Sequence, residues 1–267
     1  LHFDEGQEFM DLPGLVSSTP MTTSFSPPSL AKPTELGSVL QQQGFAVLDA
    51  HGVSASIGCS LEELEQLRPL WADLPPDAFL KDGGRYRRRR HSCFVVRDGQ
   101  VTQVPHRPHW QPVEYNALHG GINRLFDPML PEMLTQPVWQ SLLVWLAQVA
   151  SGLKGSQPWF VEAHQFRIDT TDGIGRPTPE GAHRDGVDLV AVFMVDRVGV
   201  KGGETRVFDA AGPSGQRFTL SEPWSVLLLD DARVIHESTP IQPLAPNAHR
   251  DTMVVTLRAG GFQGPGQ

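Results

Sequence analysis

The sequence predicts a mainly β (α+β) fold, an antiparallel barrel or double sheet of the jelly-roll type with helices from its N-terminal half packed on the outside. Two observations carry this. After residue 158 come five short strand-like runs: Trp159 to Asp169, Val187 to Asp196, Glu204 to Asp209, Ser225 to Asp230 and Thr252 to Leu257. Loops rich in Gly and Pro separate them and no helical pattern intervenes, which argues against a parallel βαβ sheet. The 267 residues also include 26 Gly and 23 Pro, an excess that implies many turns but stops short of low complexity.

Residues 1–32 read as a mobile leader, with Met21 as a conceivable second start. Asp4, Glu5 and Glu8 stand where a secretory signal would be basic, so a cytoplasmic location is expected. Residues 33–267 read as one domain: 33–152 a helical and irregular support region, 153–267 the jelly-roll core. A helix begins at Pro33 with Thr34 as N-cap, turns Leu36, Val39 and Leu40 to one face and stops at Gly44. Phe45 to Leu48 is an apolar strand. Ser60-Leu61-Glu62-Glu63 is a capping box that opens a helix with Leu61, Leu64, Leu67 and Leu70 inward. Cys93 to Val96, the Asp98-Gly99 turn and Val101 to Val104 form a hairpin. Residues 105–135 are irregular. Pro137 opens the strongest helix, with Val138, Leu142, Trp145, Leu146 and Val149 at helical spacing and Gly152 as its end.

Charge excludes some partners. The net charge of −8 opposes general nucleic-acid binding. No run approaches the ~18 apolar residues of a membrane span. Cys59 and Cys93 are too few for a disulfide framework and read as buried thiols in a reducing compartment. A small-molecule partner is expected, with neither nucleic acid nor membrane; the oligomeric state stays open.

The chemistry is concentrated in histidine and aspartate. His-x-Asp occurs three times, at His2-Phe3-Asp4, His183-Arg184-Asp185 and His249-Arg250-Asp251. On a strand, residues i and i+2 share a face, so such a pair can offer an imidazole and a carboxylate to one metal. A third ligand completes the facial triad of non-haem Fe(II) oxygenases. His2 lies in the leader, and no histidine follows His249. His183 and Asp185 precede the most apolar strand, and His236 follows 53 residues later, a gap that suits strands returning to one barrel mouth. Arg250 and Thr252 share a strand face, where a guanidinium fork and a hydroxyl could grip a carboxylate.

These motifs, with Pro179 to Gly186, Gly202-Gly203-Glu204-Thr205, Asp230 to His236, Gln165-Phe166-Arg167, Tyr115-Asn116 and Gly120-Gly121-Ile122, resemble the bacterial 2-oxoglutarate/Fe(II) dioxygenases typified by L-isoleucine 4-hydroxylase. The resemblance runs from about residue 85 onward. It implies a double-stranded β-helix, Fe(II) on His183, Asp185 and His236, 2-oxoglutarate held by Arg250 with Thr252 assisting, and O2 as oxidant. It also implies hydroxylation of a small free L-amino acid with release of succinate and CO2.

For such a zwitterion, Glu180 is the expected partner of the ammonium and Arg88, Arg90 or Arg167 of the carboxylate. Gln165 shares a face with Arg167, opposite His164 and Phe166, and is expected to line the same barrel. The run Arg85 to Arg90 otherwise reads as a solvated edge strand, Glu204 as a solvated carboxylate, and His106, His109 and His119 as structural or exposed. A cupin-like metal enzyme without 2-oxoglutarate, or a non-catalytic jelly-roll binding module, would share the barrel but not need Arg250 and Thr252.

Overall fold

A computed structural model describes residues 28–265. Residues 1–27, and with them most of the expected leader, Met21 and the His2-Phe3-Asp4 motif, lie outside the described residues. Pro33–Glu35 forms a 3-10 turn that runs into helix α1 (Leu36–Gln43). Thr34 sits inside that turn and caps nothing; the α1 N-cap is Glu35. Leu36 and Leu40 are buried, and Gly44, at φ 78°, closes the helix before strand β1 (Phe45–Leu48).

Helix α2 (Ala50–Ile57) has no counterpart in the expectation. Its Gly and Ser content makes it a poor intrinsic helix former, but the Asp49 side chain caps it by accepting from Gly52 N–H at 2.7 Å. The Ser60 capping box opens α3 (Leu61–Glu65). Pro69 cannot continue an α-helical ladder, so the next turn, Arg68–Trp71, is 3-10. Strands β2 (Arg87–Arg97) and β3 (Gln100–Gln103) form the expected hairpin, with Asp98 and Gly99 both at positive φ. Helix α4 (Pro131–Leu134) precedes α5 (Pro137–Lys154), which passes Gly152 and ends at Gly155.

The remaining chain is β4 (Trp159–Asp169), β5 (Leu189–Val198), β6 (Val200–Gly202), β7 (Thr205–Asp209), β8 (Gly215–Phe218), β9 (Val226–Asp230), β10 (Val234–Ser238), β11 (Ile241–Pro243) and β12 (His249–Arg258). A seven-stranded antiparallel sheet runs β1-β9-β5-β12-β4-β2-β3. Smaller sheets, β10-β7-β8 and β11-β6, complete the jelly roll. The fold is the double-stranded β-helix, mostly strands with a few helices.

Side chains alternate across the large sheet. On its outer face Val161, Ala163, Ala191, Phe193, Val255 and Leu257 pack with Trp139, Leu142 and Leu146 of α5. On its inner face Val190, Met194, Leu227 and Leu229 meet Val207 of β7, Phe218 of β8 and Val234 of β10. This alternation decides which polar residues of β2, β4 and β12 reach the interior. The arginine run is not an open edge: Arg87 to Arg90 pair with Ile168 to Gln165 of β4 on one side, and on the other Asp77 N–H donates to Arg87 O at 2.9 Å and Arg89 N–H to Pro75 O at 3.0 Å.

Candidate metal centre and cavity

His183 and Asp185 lie in the loop before β5, not on a strand. A two-residue bridge joins His183 to His236 on β10, with backbone N–H to carbonyl distances of 3.0 and 2.9 Å. One ligand atom from each of His183, Asp185 and His236 can be chosen so that all three lie within 4.8 Å of one another. His183 Nε2 stands 3.8 Å from Asp185 Oδ1, and His236 Nε2 3.7 Å from Asp185 Oδ2. His183 Nδ1 donates to Gly181 O at 2.9 Å, which leaves the Nε2 lone pair for a metal.

The loop is held by Asp231, whose carboxylate accepts from the backbone N–H of Asp185 (3.0 Å), Gly186 (2.8 Å) and Val187 (3.1 Å). Burial opposes charge on His183, but Asp185 and Glu180 outweigh it and raise its pKa. Burial and the neighbouring His183 push His236 down to about 3. Two imidazoles and a carboxylate on one side of an open position are the donor set that suits non-haem Fe(II).

The triad opens on a cavity of about 130 Å³, lined also by Glu180, Arg250 and Thr252. Arg250 is 3 % exposed, its Nε has no hydrogen-bond partner, and among the described residues no carboxylate lies within ion-pair distance. Asp251, its chain neighbour, is instead gripped by Arg167 at 2.8 and 2.6 Å. A buried guanidinium without an anion is costly, so this site fits the remote carboxylate of 2-oxoglutarate. Gly203, at φ 66°, lets the chain close over it; a Cβ there would stand 2.9 Å from Arg197 and from Ile241.

Of the five residues expected to contact substrate, only Glu180 lines the cavity. Phe94 and Val96 of β2 face the helices, so Arg88 and Arg90 share that outer face; they bind Asp169 (3.4 Å) and the carbonyls of Pro128 (3.1 Å) and Asp73 (3.4 Å). Gln165 and Arg167 continue the outer phase of Val161 and Ala163, and Gln165 donates to Leu70 O at 3.3 Å. The inner face carries their neighbours Arg87, Arg89, Glu162, His164 and Phe166.

A second group was not anticipated from the sequence. His91, His109, Glu162 and His164 are all buried and converge within 4.8 Å. Glu162 Oε2 lies 3.1 Å from His91 Nε2 and in direct hydrogen-bond contact with His109 Nδ1. His109, expected to be structural or exposed, is therefore part of the cavity wall. The signal was the Glu162-Ala163-His164 pair on an apolar strand, opposite Cys93 and His91 in register. His119 is buried and accepts from Lys81 N–H at 3.3 Å, while His106 bonds to Phe126 O at 2.7 Å. Glu204 pairs with Arg206 at 3.0 Å, Cys59 is half-buried and Cys93 buried.

A family model described as 2OG-Fe dioxygenase matches residues 68–256. Among solved structures, the chain is 52 % identical to a bsmA homologue from Methylobium petroleophilum PM1, over 91 % of this chain and 99 % of that one, with a TM-score of 0.86. It is 18 % identical to IDO from Bacillus thuringiensis over 89 % and 100 % (TM-score 0.70). It is 19 % identical to the Fe(II)/(alpha)ketoglutarate-dependent dioxygenase TqaL over 87 % and 90 % (TM-score 0.66); these two establish the fold alone. A search of curated proteins finds no match. The family match removes the cupin-like and non-catalytic readings, and with them any account that dispenses with 2-oxoglutarate. The chain belongs to the 2OG-Fe dioxygenase family and is a non-haem iron enzyme that uses Fe(II), 2-oxoglutarate and O2.

Proposed function

We propose that this enzyme hydroxylates a small free L-amino acid, with His183, Asp185 and His236 holding Fe(II) and Arg250, assisted by Thr252, holding 2-oxoglutarate. The observation that carries the reading is the small, charged cavity in which an unpaired buried guanidinium stands beside a two-His, one-Asp face. Fe(II) with 2-oxoglutarate and O2 supplies the oxidising power, with succinate and CO2 as coproducts. The protein supplies ligation, aim and shelter from water.

Arg250 and Thr252 point inward from β12, so the cosubstrate's far carboxylate would lie against the barrel wall and its near end against the triad. Phe160, Phe166, Val192, Val254 and Phe262 provide apolar wall, and a methylene in such a wall discriminates by only ~1–3 kcal/mol. Several aliphatic amino acids are therefore expected as substrates, in keeping with the resemblance to isoleucine hydroxylase. The test is succinate formation with Fe(II), 2-oxoglutarate and ascorbate across the twenty free amino acids and the same residues within peptides. Turnover of free amino acids supports the reading; turnover confined to peptides overturns it.

A further inference from the structure

The cavity wall away from the triad carries three buried arginines. Arg87 is held by Asp77 at 2.7 Å. Arg89 lies 3.7 Å from the same carboxylate, sits over the Phe126 and Phe166 rings, and donates to His164 Nδ1 at 2.7 Å. Arg124 is different. It is 2 % exposed, its Nε has no partner, and among the described residues no carboxylate lies within ion-pair distance. Its Nη2 donates to Gln111 Oε1 at 2.9 Å. Guanidinium groups stay protonated; Arg87 and Arg89 share the Asp77 carboxylate, whereas Asp77, Glu180 and Glu162 all act on Arg124 from beyond ion-pair distance, so its guanidinium has no direct counter-ion.

Directly opposite Arg124 is His109. The two residues form a two-residue antiparallel bridge, with both N–H to carbonyl distances at 3.0 Å, and opposed side chains in such a pair share one face. His109 Nδ1 contacts the Glu162 carboxylate. Ionised, that group only accepts, so the proton is on Nδ1 and the lone pair on Nε2. Among the described residues no protein group bonds to that Nε2. Burial pushes the His109 pKa down to about 4, so the ring is a neutral acceptor at neutral pH.

We propose that Arg124 and His109 form the head-group socket of the primary substrate, Arg124 gripping a carboxylate and His109 Nε2 accepting from an ammonium on the adjacent carbon. The proposal rests on the free-amino-acid reading and names the site that serves it. The two poles of an α-amino acid are separated by one carbon, which is the separation a bridged donor and acceptor pair can serve.

Glu180 is the poorer ammonium partner, because its Oε1 stands 3.6 Å from His183 Nε2; a cation there would sit against the divalent ion. The His91, His109, Glu162 and His164 group is not a four-ligand metal site either. Arg89 can only donate, so it occupies the His164 Nδ1 lone pair and leaves the proton on Nε2.

Gln111 connects the socket to the triad. Its Oε1 accepts from Arg124 and from Asn116 at 3.1 Å, while its Nε2 donates to Asp185 Oδ1 at 3.0 Å. The acid group is thus one glutamine side chain from a residue of the triad, and the oxidised carbon belongs to a short side chain.

The test is calorimetric binding to anaerobic protein loaded with Zn(II) and 2-oxoglutarate. The probes are the twenty L-amino acids, the amine lacking each carboxylate and the acid lacking each ammonium. Wild-type protein is expected to bind at least one amino acid about tenfold or more above both its analogues. Arg124→Met should remove the preference over the amine, and Arg124→Lys should weaken it, since a point charge replaces a fork. His109→Phe should remove the preference over the deaminated acid. Retained 2-oxoglutarate affinity reports that each variant folds, and the wild-type analogue series needs no variant at all. An amine that binds wild type as well as its amino acid, or preferences unchanged in Arg124→Met and His109→Phe, overturns the socket while leaving free-amino-acid hydroxylation standing. Binding of simple acids alone, dependent on Arg124, overturns the zwitterion reading and the His109 half. If no probe binds, both fall.

Discussion

His183, Asp185 and His236 do one thing together that none does alone, since a facial site needs all three donors. Each single Ala variant is expected to lose most divalent-metal affinity and all succinate formation. The near-ultraviolet circular dichroism should be preserved, because the packed layers of β5, β9 and β12 do not include these side chains. Metal stoichiometry by elemental analysis checks it; wild-type metal content in any of the three removes that residue from the ligand set. Arg250→Lys should raise the 2-oxoglutarate KM markedly while metal content stays at wild-type level, since the fork is lost but the charge kept. An unchanged KM in Arg250→Ala would remove Arg250 from the cosubstrate site. At this scale the sequence was legible where spacing carried the information and illegible where strand phase did. Spacing alone makes Arg88, Arg90 or Arg167 candidates for the substrate carboxylate and Gln165 a candidate for the barrel lining, yet the phase is written in the apolar members of the same strands. Phe94 and Val96 on β2, and Val161 and Ala163 on β4, must meet the helices, and that turns Arg87, Arg89, Glu162 and His164 to the cavity.

At the scale of elements, the turn between β9 and β10 does most to join the support helices to the site. Lys154 at the end of α5 bonds to Asp230 at 2.9 Å, and Asp231 clamps the backbone of residues 185–187. Arg233 Nη1 donates to Leu40 O at 3.2 Å and Gln41 O at 2.5 Å, and its Nη2 to Gln42 O at 3.1 Å. These are carbonyls from the last turn of α1; Leu40 O also accepts from Gly44 N–H at 2.9 Å, whereas Gln41 O and Gln42 O have no partner inside the helix, and a cation suits that end of the dipole. Arg233→Ala is expected to cost about 1.5 kcal/mol in urea unfolding, the low end for hydrogen bonds to a charged group because the guanidinium is exposed, with metal content unchanged. A wild-type urea midpoint would show that water caps α1 equally well. Long periodic elements such as α5, and strands bounded by turn residues, were readable from the sequence. Helix α2 was not, because its stability comes from the Asp49 cap and from burial of Val53 and Ile57 rather than from propensity. The three-residue strands β6 and β11 were not, because their pairing is set by the closure of the barrel.

Across the whole molecule, the jelly roll buries an unusual amount of titratable matter behind its cavity, and this sets how acid acts on it. Burial, above all other causes, lowers the pKa values of His91, His109 and His164. In the unfolded chain each returns to about 6.5. Below that pH the unfolded state takes up protons that the folded state refuses, so stability falls as pH falls. His109, at about 4 when folded, alone costs about 1.4 kcal/mol by pH 5.5. Glu162 acts later: burial opposes its charge, but His109 and His91 outweigh that and hold it well below the usual carboxylate range. Its contribution is therefore intact above its unfolded value near 4.5 and lost only as pH falls below it. In metal-free protein His119, at about 4, and His236, at about 3, act in the same sense, while His183, Asp231 (raised to about 6) and Asp251 favour the folded state in mild acid; five depressed imidazoles outweigh these three raised groups. The urea midpoint of metal-free protein is thus expected to fall between pH 7.5 and 5.5, before ordinary carboxylates titrate. His109→Phe should flatten that slope if it folds, and Glu162→Gln should flatten only the part below pH 4.5. A midpoint independent of pH from 7.5 to 5.5 would mean that these imidazoles are solvated in the folded protein and that the cavity wall is open to water.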